Sequence, residues 1–325
     1  NTQGMYICGK VNGAFNLNST NITVPSAAPA IYTKAANAPA TINSDANCTF
    51  TRVYKVATAD EFTTALTNAN ASAEAVTIKF LANIELTDAI EINNTNGKKI
   101  TIDGANGDVR YKLKISSAAK NGQGNPSIQL HQKNGNITFQ NMDIEHGGNQ
   151  MLLRLGENTY TSGTDRALIV NMTNMDITSS STYAFCLMAT QALGQFDIEM
   201  TNVDVDWNDQ NNTQAARAFL RCGDGKNDQT VNLTATGCTI NLADAAKTQG
   251  MNILAKVSGK FTLNDTDIIT SGANTYTNAG NVQFVVDDKC EFSTNGGKTL
   301  AKISAIGYDI HAEKLKGGSV IKIFL

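Results

Sequence analysis

Apolar and polar residues alternate along this chain in a six-position pattern that recurs many times. Clear copies occupy residues 139–144, 172–177 and 200–205, weaker copies occupy 235–240, 263–268 and 305–310, and a partial relative occupies 100–104. The closing aliphatic residues at positions 144, 177, 205, 240 and 268 are separated by 33, 28, 35 and 28 residues. A repeat of this length predicts a stacked solenoid in which each repeat contacts mainly its neighbours.

The third position of the pattern holds residues that enter the left-handed backbone region at low cost. Apolar residues alternate with polar ones on both sides of it, which predicts two short strands joined by a sharp bend. In the copy Met142-Asp143-Ile144, the Met and Ile should face the core and the Asp should face water. Across the copies this position is Gly104, Asn141, Asn174, Asn202, Gly237, Asp265 and Gly307.

A third series of strands precedes each copy, at residues 128–130, 152–155, 184–187, 218–222, 251–254 and 282–285. Polar turns, such as residues 223–228, separate this series from the pattern. Three short strands per repeat of about 30 residues predict one coil of a parallel β-helix, with like strands stacked about 4.8 Å apart.

With these repeats, the chain resembles the right-handed β-helix superfamily, which includes pectin and pectate lyases, polygalacturonases, phage tailspikes and many bacterial surface proteins. The resemblance covers about residues 58–310 and implies an all-β fold: a right-handed, single-stranded parallel β-helix with three strands per coil. Thr58 and Glu61 form a capping-box signature, and Phe62, Leu66 and Ala69 follow at helical spacing, so a short helix should cap the first coil. Residues 318–325 should form closing strands.

The domain prediction is an N-terminal extension at residues 1–57, partly irregular, followed by the β-helix at 58–325. The extension is low in bulky apolar residues between Pro25 and Pro39, and Cys8 and Cys48 bracket it. A disulfide between these cysteines and two separate thiols are both open interpretations. Cys238 should be a small core residue, and Cys186 and Cys222 should lie in equivalent strands.

Charge and hydropathy exclude some classes of function. The formal net charge is −3 and Lys and Arg are not clustered, so we expect no nucleic-acid partner. No apolar run approaches the length of a membrane-spanning segment. No signal peptide is visible, and the sequence is expected to be a mature or trimmed form. The resemblance implies a secreted protein or one on a bacterial cell surface.

The segment around the only tryptophan is the predicted ligand-binding site. Trp207 lies among Asp204, Asp206 and Asp209. A half-exposed indole beside carboxylates could stack on a sugar ring while the acids bind its hydroxyl groups, which predicts a polysaccharide or a host or cell-surface glycan as partner. The alternative is that Trp207 folds back over its own coil.

A second candidate feature is a row of outward carboxylates, Asp143, Asp176, Asp204, Asp267 and Asp309, interrupted by Thr239. In-register carboxylates repel one another, so solvent, Lys or Arg neighbours or a cation should offset them. These residues either bind turn amides or form a stripe that faces calcium or polysaccharide. The sequence has no zinc-type spacing, so we predict no cofactor and no metal, with calcium as an alternative.

Catalysis is the remaining hypothesis. The polygalacturonase motifs, which include paired aspartates and Gly-His-Gly, are absent, and the three histidines should be turn or surface residues. A lyase of the pectate type would need an Arg or Lys base with acids, for which Arg154, Arg221 and Asp224 are the candidate face. We therefore predict an adhesin or glycan-binding or structural module without catalytic activity. The alternative is a divergent polysaccharide lyase or glycoside hydrolase, which a cleft holding either arginine with two acids would favour.

Overall fold

The fold was obtained as a computed structural model, which describes residues 4–7, 13–25, 29–33, 40–94, 96–116, 126–131, 135–148, 151–156, 167–181, 186–190, 193–208, 217–243, 248–272, 274–294 and 310–311. Its elements in chain order are β1 (Met5–Ile7), β2 (Gly13–Leu17), β3 (Asn21–Pro25), β4 (Ile31–Thr33), β5 (Ala40–Ser44), β6 (Thr49–Val56), α1 (Ala59–Asn70), β7 (Ala75–Phe80), β8 (Ile84–Leu86), β9 (Ile90–Ile92), β10 (Lys99–Asp103), β11 (Ala105–Asn106), β12 (Val109–Ile115), β13 (Pro126–Leu130), β14 (Gly135–His146), β15 (Met151–Leu155), β16 (Ala167–Ser179), β17 (Cys186–Thr190), β18 (Gly194–Trp207), β19 (Arg217–Cys222), β20 (Gln229–Thr236), β21 (Thr239–Leu242), β22 (Thr248–Ile253), β23 (Val257–Asn264), β24 (Asp267–Thr270), β25 (Tyr276–Asn278), β26 (Asn281–Val286), β27 (Phe292–Ser293) and β28 (Ile310–His311).

Parallel pairing between successive repeats builds three faces, which confirms the predicted parallel β-helix. Face A is the seven-stranded sheet β9-β13-β15-β17-β19-β22-β25. Face B stacks β7, β10, the first half of β14, β16 and β18, then β20, β23 and β26. Face C stacks β8, β12, the second halves of β14, β16 and β18, then β21, β24 and β27. Each coil therefore carries three strands.

Strict alternation along each strand fills the space between the faces with apolar side chains. In the second half of β14, Met142 and Ile144 are at most 3 % exposed, while Asp143 between them is outward and 37 % exposed at its side chain. The same alternation repeats in every coil, and the buried residues form one continuous core cluster from Val56 to Cys290. Burial of this column against water is the main stabilising contribution in a solenoid.

The bends between faces B and C follow the predicted backbone geometry. Asn141, Asn174 and Asn202 have φ of 53°, 52° and 52°, while Gly237 and Asp265 have φ of 62° and 47°. The five residues therefore occupy the left-handed region that the sequence pattern predicts.

The three asparagines also bond to one another across coils. Asn202 Nδ2 donates to Asn174 Oδ1, and Asn174 Nδ2 donates to Asn141 Oδ1, each at 3.1 Å. Asn141 Nδ2 completes this asparagine ladder by donating to Asp103 Oδ1 at 3.1 Å. The ladder ends at the next coil, because Gly237 has no side-chain amide to donate. A β-carbon at Gly237 would lie 2.8 Å from Asn202 Oδ1.

The prediction for Gly104 is wrong, because its φ is not positive. This glycine is needed for close approach instead: a β-carbon there would lie 2.4 Å from the Met142 β-carbon and 2.6 Å from the Asn141 carbonyl oxygen. The chain then leaves the coil as the antiparallel β11–β12 hairpin. Gly307 and Asp309 lie outside the described residues.

Helix α1 has the predicted cap and packs over the coil that begins with β7. Thr58 Oγ1 accepts a hydrogen bond from the Glu61 amide at 3.2 Å, as in a capping box. Glu61 Oε2 accepts its hydrogen bond from the amide of Ala57, one residue before the cap, at 2.7 Å. Phe62 is fully buried and meets Phe80 edge to face at 5.6 Å. The helix contacts β6, β7, β8 and β9.

Strands of the N-terminal segment extend the stack beyond α1. Strand β6 pairs in parallel with β7, and β3 pairs in parallel with β6. Two further parallel pairs, β1–β4 and β2–β5, join residues 26 and 27 positions apart, as Met5 with Ile31 and Gly13 with Ala40. The sheet therefore continues across residue 58, where the sequence analysis places a boundary.

A copy of the six-position pattern in this segment escaped the sequence analysis. Residues 17–22 read Leu-Asn-Ser-Thr-Asn-Ile, and residues 263–268 read Leu-Asn-Asp-Thr-Asp-Ile. Ser19 has φ 45°, close to the 47° of Asp265. Each copy is followed one coil later by an Asp-x-x-Cys turn, at Asp45 and at Asp287. The signal was present, because the two six-residue segments match at four positions.

The two Asp-x-x-Cys turns make the same contacts. The Asp45 carboxylate accepts from the Ser19 amide at 2.9 and 3.1 Å, and the Asp287 carboxylate accepts from the Asp265 amide at 3.0 and 3.1 Å. Cys48 is a free thiol, which donates to the Leu17 carbonyl at 3.2 Å. It therefore forms no disulfide with Cys8, which lies outside the described residues.

Three further predictions concern strands. Residues 282–285 belong to face B in β26, so the prediction that they belong to the strand series preceding each copy is wrong. Strand β25 holds the corresponding position on face A. Ile310 pairs antiparallel with Phe284 and therefore does not continue the parallel stack, whereas the rest of the copy proposed at 305–310 lies outside the described residues. The predicted closing strands at 318–325 lie outside the described residues.

Cys238 is buried in the core, as predicted. Cys186 and Cys222 lie in neighbouring strands but not opposite one another, because Cys222 pairs with Thr190.

Candidate functional site

A polar groove lies at the corner between faces A and B. It has a volume of about 750 Å³ and is lined by residues 193–194, 228–230, 256–258 and 279–281. These four segments are the starts of face B in four successive coils. The groove therefore runs across the stack, parallel to the solenoid axis. Its volume falls in the usual range for small-molecule sites.

Unequal turn lengths form this corner groove. Six residues, 223–228, connect β19 to β20, whereas three connect β22 to β23 and two connect β25 to β26. Gly225 (φ 77°) and Lys256 (φ 66°) are left-handed, which lets the chain reverse tightly. A β-carbon at Gly280 would lie 2.4 Å from the Val257 carbonyl oxygen, so only glycine allows these two coils to approach.

Asp224 holds the long turn in shape. Its Oδ1 accepts hydrogen bonds from the amides of Lys226 at 2.8 Å and Asn227 at 3.0 Å, and its Oδ2 accepts one from Asn227 Nδ2 at 2.8 Å. Burial raises the pKa of this carboxyl, but these hydrogen bonds together lower the pKa below its ordinary value. Lys256 Nζ then donates to the Lys226 carbonyl at 2.8 Å and ties the turn to the next coil.

Four uncharged polar side chains form a row at this corner, and three of them, Thr230, Ser258 and Asn281, line the groove. Gln195, Thr230, Ser258 and Asn281 pair in register on neighbouring strands and are all exposed. Successive members are about 4.8 Å apart, the spacing of strands in a sheet. This corner row offers an amide, two hydroxyls and a second amide, each of which can both donate and accept.

The charges of the groove cancel, and apolar side chains supply part of its uncharged surface. Asp228 and Lys256 are the charged side chains among the described lining residues, and Leu193, Val257 and Ala279 supply apolar surface. A single carboxylate cannot form the acid and base pair of a glycosidase. The arrangement is therefore suited to binding hydroxyl groups by hydrogen bonds rather than to cleaving a bond between them.

The prediction that Trp207 is half-exposed is wrong. Its side chain is 1 % exposed and belongs to the core cluster, and its Nε1 donates to the Ser181 carbonyl at 3.1 Å. The physical reason is alternation: Val203, Val205 and Trp207 occupy every second position of β18 and all point inward. The same spacing in the sequence could have predicted this orientation. Trp207 therefore cannot stack on a ligand.

The acidic neighbours of Trp207 have different positions. Asp204 and Asp206 are exposed on face C and point outward from the strand whose inward side carries Trp207. Asn241 Nδ2 lies 3.4 Å from Asp206 Oδ1. Asp209 lies outside the described residues. A ligand-binding role for Asp204 and Asp206 stays a prediction.

The outward carboxylate row is in register, as predicted, and an arginine side chain offsets the repulsion between its first two carboxylates. Asp143 pairs with Asp176, Asp176 with Asp204, Asp204 with Thr239, and Thr239 with Asp267. Arg110, on β12, bridges two coils: its guanidinium lies 2.6 Å from Asp143 Oδ1 and 3.0 Å from Asp176 Oδ2. Of the three alternatives, solvent, a basic neighbour and a bound cation, it is therefore a basic neighbour that offsets the repulsion between Asp143 and Asp176.

The candidate catalytic residues do not converge on one cleft. Arg154 and Arg221 belong to the same outward row of face A but are separated by a whole coil, because Ala189 pairs with both. Arg154 Nε donates to Gln129 Oε1. Asp224 bonds to its own turn, and neither arginine lines the groove. The cleft with an arginine and two acids that the lyase hypothesis requires is not formed by these residues.

His146 differs from the prediction for the histidines. It is 1 % exposed in the core, with Ser127 Oγ 3.2 Å from Nε2 and Ser179 Oγ 3.1 Å from Nδ1. Burial lowers the pKa of its imidazole to about 4. It occupies an inward position in the register, opposite Ile115 and Ser179. His131 directly follows β13, with its side chain 15 % exposed and its Nε2 3.3 Å from Glu91 Oε2, and the side chain of His311 lies outside the described set.

Comparison with known proteins gives one family match. Residues 53–166 match a family model described as a pectate lyase-like adhesive domain. This region covers about a third of the chain and ends before the groove. No curated protein and no solved structure matches the chain. The match indicates an adhesive or surface module and a location outside the cell or at its surface.

The described residues contain neither a membrane-spanning helix nor a metal-binding cluster. No helix there has the length and apolar composition needed to cross a lipid bilayer. No group of three or more His, Cys, Asp or Glu side chains in the same residues is placed to hold a metal ion. A calcium requirement therefore stays a prediction.

Proposed function

We propose that this chain is an exported or cell-surface β-helix module that adheres to a polysaccharide or cell-surface glycan without cleaving it. The observation that carries the proposal is the corner groove with its row of Gln195, Thr230, Ser258 and Asn281. Hydroxyl and amide groups repeated at the strand spacing match a ligand that itself repeats hydroxyl groups along a chain. The adhesive description of the matched family supports the same function.

The charge and hydrogen bonding of the groove support binding over catalysis. Asp228 is its only carboxylate among the described lining residues. Asp224, the acid nearest to it in the turn, already accepts three hydrogen bonds from that turn. A glycosidase needs two carboxyl groups and a lyase needs a base held beside acids, and neither set is assembled in the groove.

A bulky substitution in the groove tests the proposal. Wild type should bind members of an immobilised glycan panel, and Ser258→Trp, which places an indole in the groove, should lose that binding. Thr234→Trp is the matched control, because Thr234 is an exposed residue of face B that does not line the groove. If wild type and Ser258→Trp bound the immobilised glycans equally well, the groove would not be the binding site.

Product release tests the catalytic alternative in the same samples. Incubation with soluble polysaccharides should release neither unsaturated products, which a lyase would form, nor new reducing ends, which a hydrolase would form. Release of either product that is lost in Arg154→Ala or Arg221→Ala would replace adhesion by catalysis as the function.

The exposed carboxylates Asp204 and Asp206 are a second proposed contact for the glycan. They lie two residues apart on one strand of face C, so the hydroxyl groups of one ligand could donate to both carboxylates at once. The double variant Asp204→Asn with Asp206→Asn keeps their size and removes their charge. It should weaken binding if face C takes part, whereas unchanged binding would restrict the site to the groove.

A further inference from the structure

Resting on the proposed function, we infer that the groove selects an uncharged, hydroxyl-rich polysaccharide that lies parallel to the solenoid axis, and that it rejects polyuronates. The juxtaposition that carries this inference is an uncharged polar row beside acidic residues of face B. The row itself comprises Gln195, Thr230, Ser258 and Asn281, in register over four coils.

The orientation of the ligand follows from the direction of the row. Its members come from four different coils, so a chain that contacts all of them must run across the strands. The turn that Asp224 holds closes one side of this path. A ligand lying along a single strand would meet only one member of the row.

The class of ligand follows from the charges. Asp228 and Lys256 cancel, and the Lys256 ammonium already donates to the Lys226 carbonyl at 2.8 Å. No arginine is present among the described lining residues, although arginine is the side chain best suited to holding a carboxylate in two parallel hydrogen bonds. The single cation among the described lining residues is therefore balanced by Asp228 and partly engaged, so the groove compensates poorly for the water that a uronate carboxylate would lose.

Acidic residues next to the row would repel a polyanion. Asp197 accepts hydrogen bonds from Gln195 Nε2 at 2.8 Å and from Asn232 Nδ2 at 2.7 Å, so its carboxylate is held beside the row. Glu199 is exposed two residues further along the strand, and Lys260 lies two coils from Asp197 in the same outward row. These three side chains leave a net negative charge on face B at the groove.

Calcium bridging would not rescue polyuronate binding in this groove. Calcium takes six to eight oxygen ligands, and its affinity for a site rises with the number of carboxylates among them. Asp228 is the single carboxylate among the described lining residues, and the Asp197 carboxylate is occupied by two amide donors. We therefore expect added calcium to leave binding unchanged.

Titration calorimetry with defined oligosaccharides tests the inference. The probes are neutral hexasaccharides of glucose, mannose and galactose and, for comparison, hexagalacturonate with and without calcium, each at low and high salt. Wild type should bind at least one neutral probe with an affinity that salt does not change, because screening acts only on charged partners. It should not bind hexagalacturonate under any of these conditions.

Alanine variants locate the bound probe. Thr230→Ala and Asn281→Ala should each weaken binding about fivefold, the value of one net hydrogen bond. Thr234→Ala is the matched control, because Thr234 is an exposed threonine of the same strand outside the groove, and it should bind like wild type.

The possible failures are distinguishable. Binding of hexagalacturonate alone, weakened in Thr230→Ala, would overturn the uncharged class of ligand and leave the groove function intact. Neutral binding that is equally strong in Thr230→Ala and Thr234→Ala would overturn the position of the ligand. Failure of every probe in the full glycan panel would overturn the proposed function itself.

Discussion

The buried imidazole of His146 predicts that acid destabilises this fold well above the pH at which surface carboxylates are fully protonated. The side chain lies in the core between two serine hydroxyls and is 1 % exposed. Its pKa in the folded chain is about 4, against an ordinary value of 6.5, and burial is the cause. The neutral ring is therefore the form that the fold accepts.

The sign of the effect follows from proton binding. Between pH 6.5 and about 4 the unfolded chain binds a proton at this histidine and the folded chain does not. Stability is therefore complete above pH 6.5 and is lost progressively as the pH falls through about 4. The shift corresponds to about 3 kcal/mol, at 1.36 kcal/mol for each pH unit. That is a large fraction of the stability of an ordinary domain.

The measurement compares wild type with His146→Gln by urea unfolding between pH 7 and pH 4. Glutamine retains a donor and an acceptor for Ser127 and Ser179 but does not titrate. Other groups change with pH in both proteins, among them the carboxyls of Asp45, Glu145 and Asp287, whose pKa values are lowered. Subtracting the free energy of unfolding of one protein from that of the other at each pH removes the contribution of these carboxyls.

The expected result is a difference in the free energy of unfolding that shifts against wild type by about 3 kcal/mol as the pH falls. A difference that stays constant from pH 7 to pH 4 would refute the reasoning. It would mean that the imidazole takes up its proton in the folded state as readily as in the unfolded chain.

Three further substitutions test the core, the bends and the coil contacts, each by chemical denaturation. Trp207→Ala should cost about 3–5 kcal/mol of stability as a core truncation, whereas Asp206→Ala beside it should change stability by less than about 0.5 kcal/mol. Equally small effects of both substitutions would show that Trp207 is not part of the core. Asn174→Ala should cost about 1–2 kcal/mol more than Asn174→Gly, since both lose the asparagine ladder but only alanine is strained at φ 52°. Equal costs would contradict the left-handed bend. Gly259→Ala should cost about 1–3 kcal/mol more than Gly225→Ala, because a β-carbon would lie 2.1 Å from the Val231 carbonyl oxygen at the first site and meet nothing within 4 Å at the second; the reverse order would be incompatible with this stacking.

The sequence by itself determined the coil and its bends, because both depend on local rules. Alternation of apolar and polar residues decides which side chains face the core. The left-handed preference of Asn141, Asn174 and Asn202 decides where each strand turns. Because copies of one pattern must stack in register, the outward row of Asp143, Asp176 and Asp204 was also predictable. The inward position of Trp207 obeys the same alternation and was missed only because the sole tryptophan was interpreted as a binding residue.

The tertiary structure alone decided the features that arise between coils. The groove exists because turns of six, three and two residues lie side by side, and the alignment of Thr230 with Ser258 and Asn281 depends on a register that turn lengths in the sequence do not specify. Arg110 reaches Asp143 and Asp176 because a hairpin places it over two coils. The burial of His146 likewise depends on Ser127 and Ser179, which neighbouring strands supply. Local periodicity acts along one strand, whereas these contacts join residues that only the winding of the chain brings together.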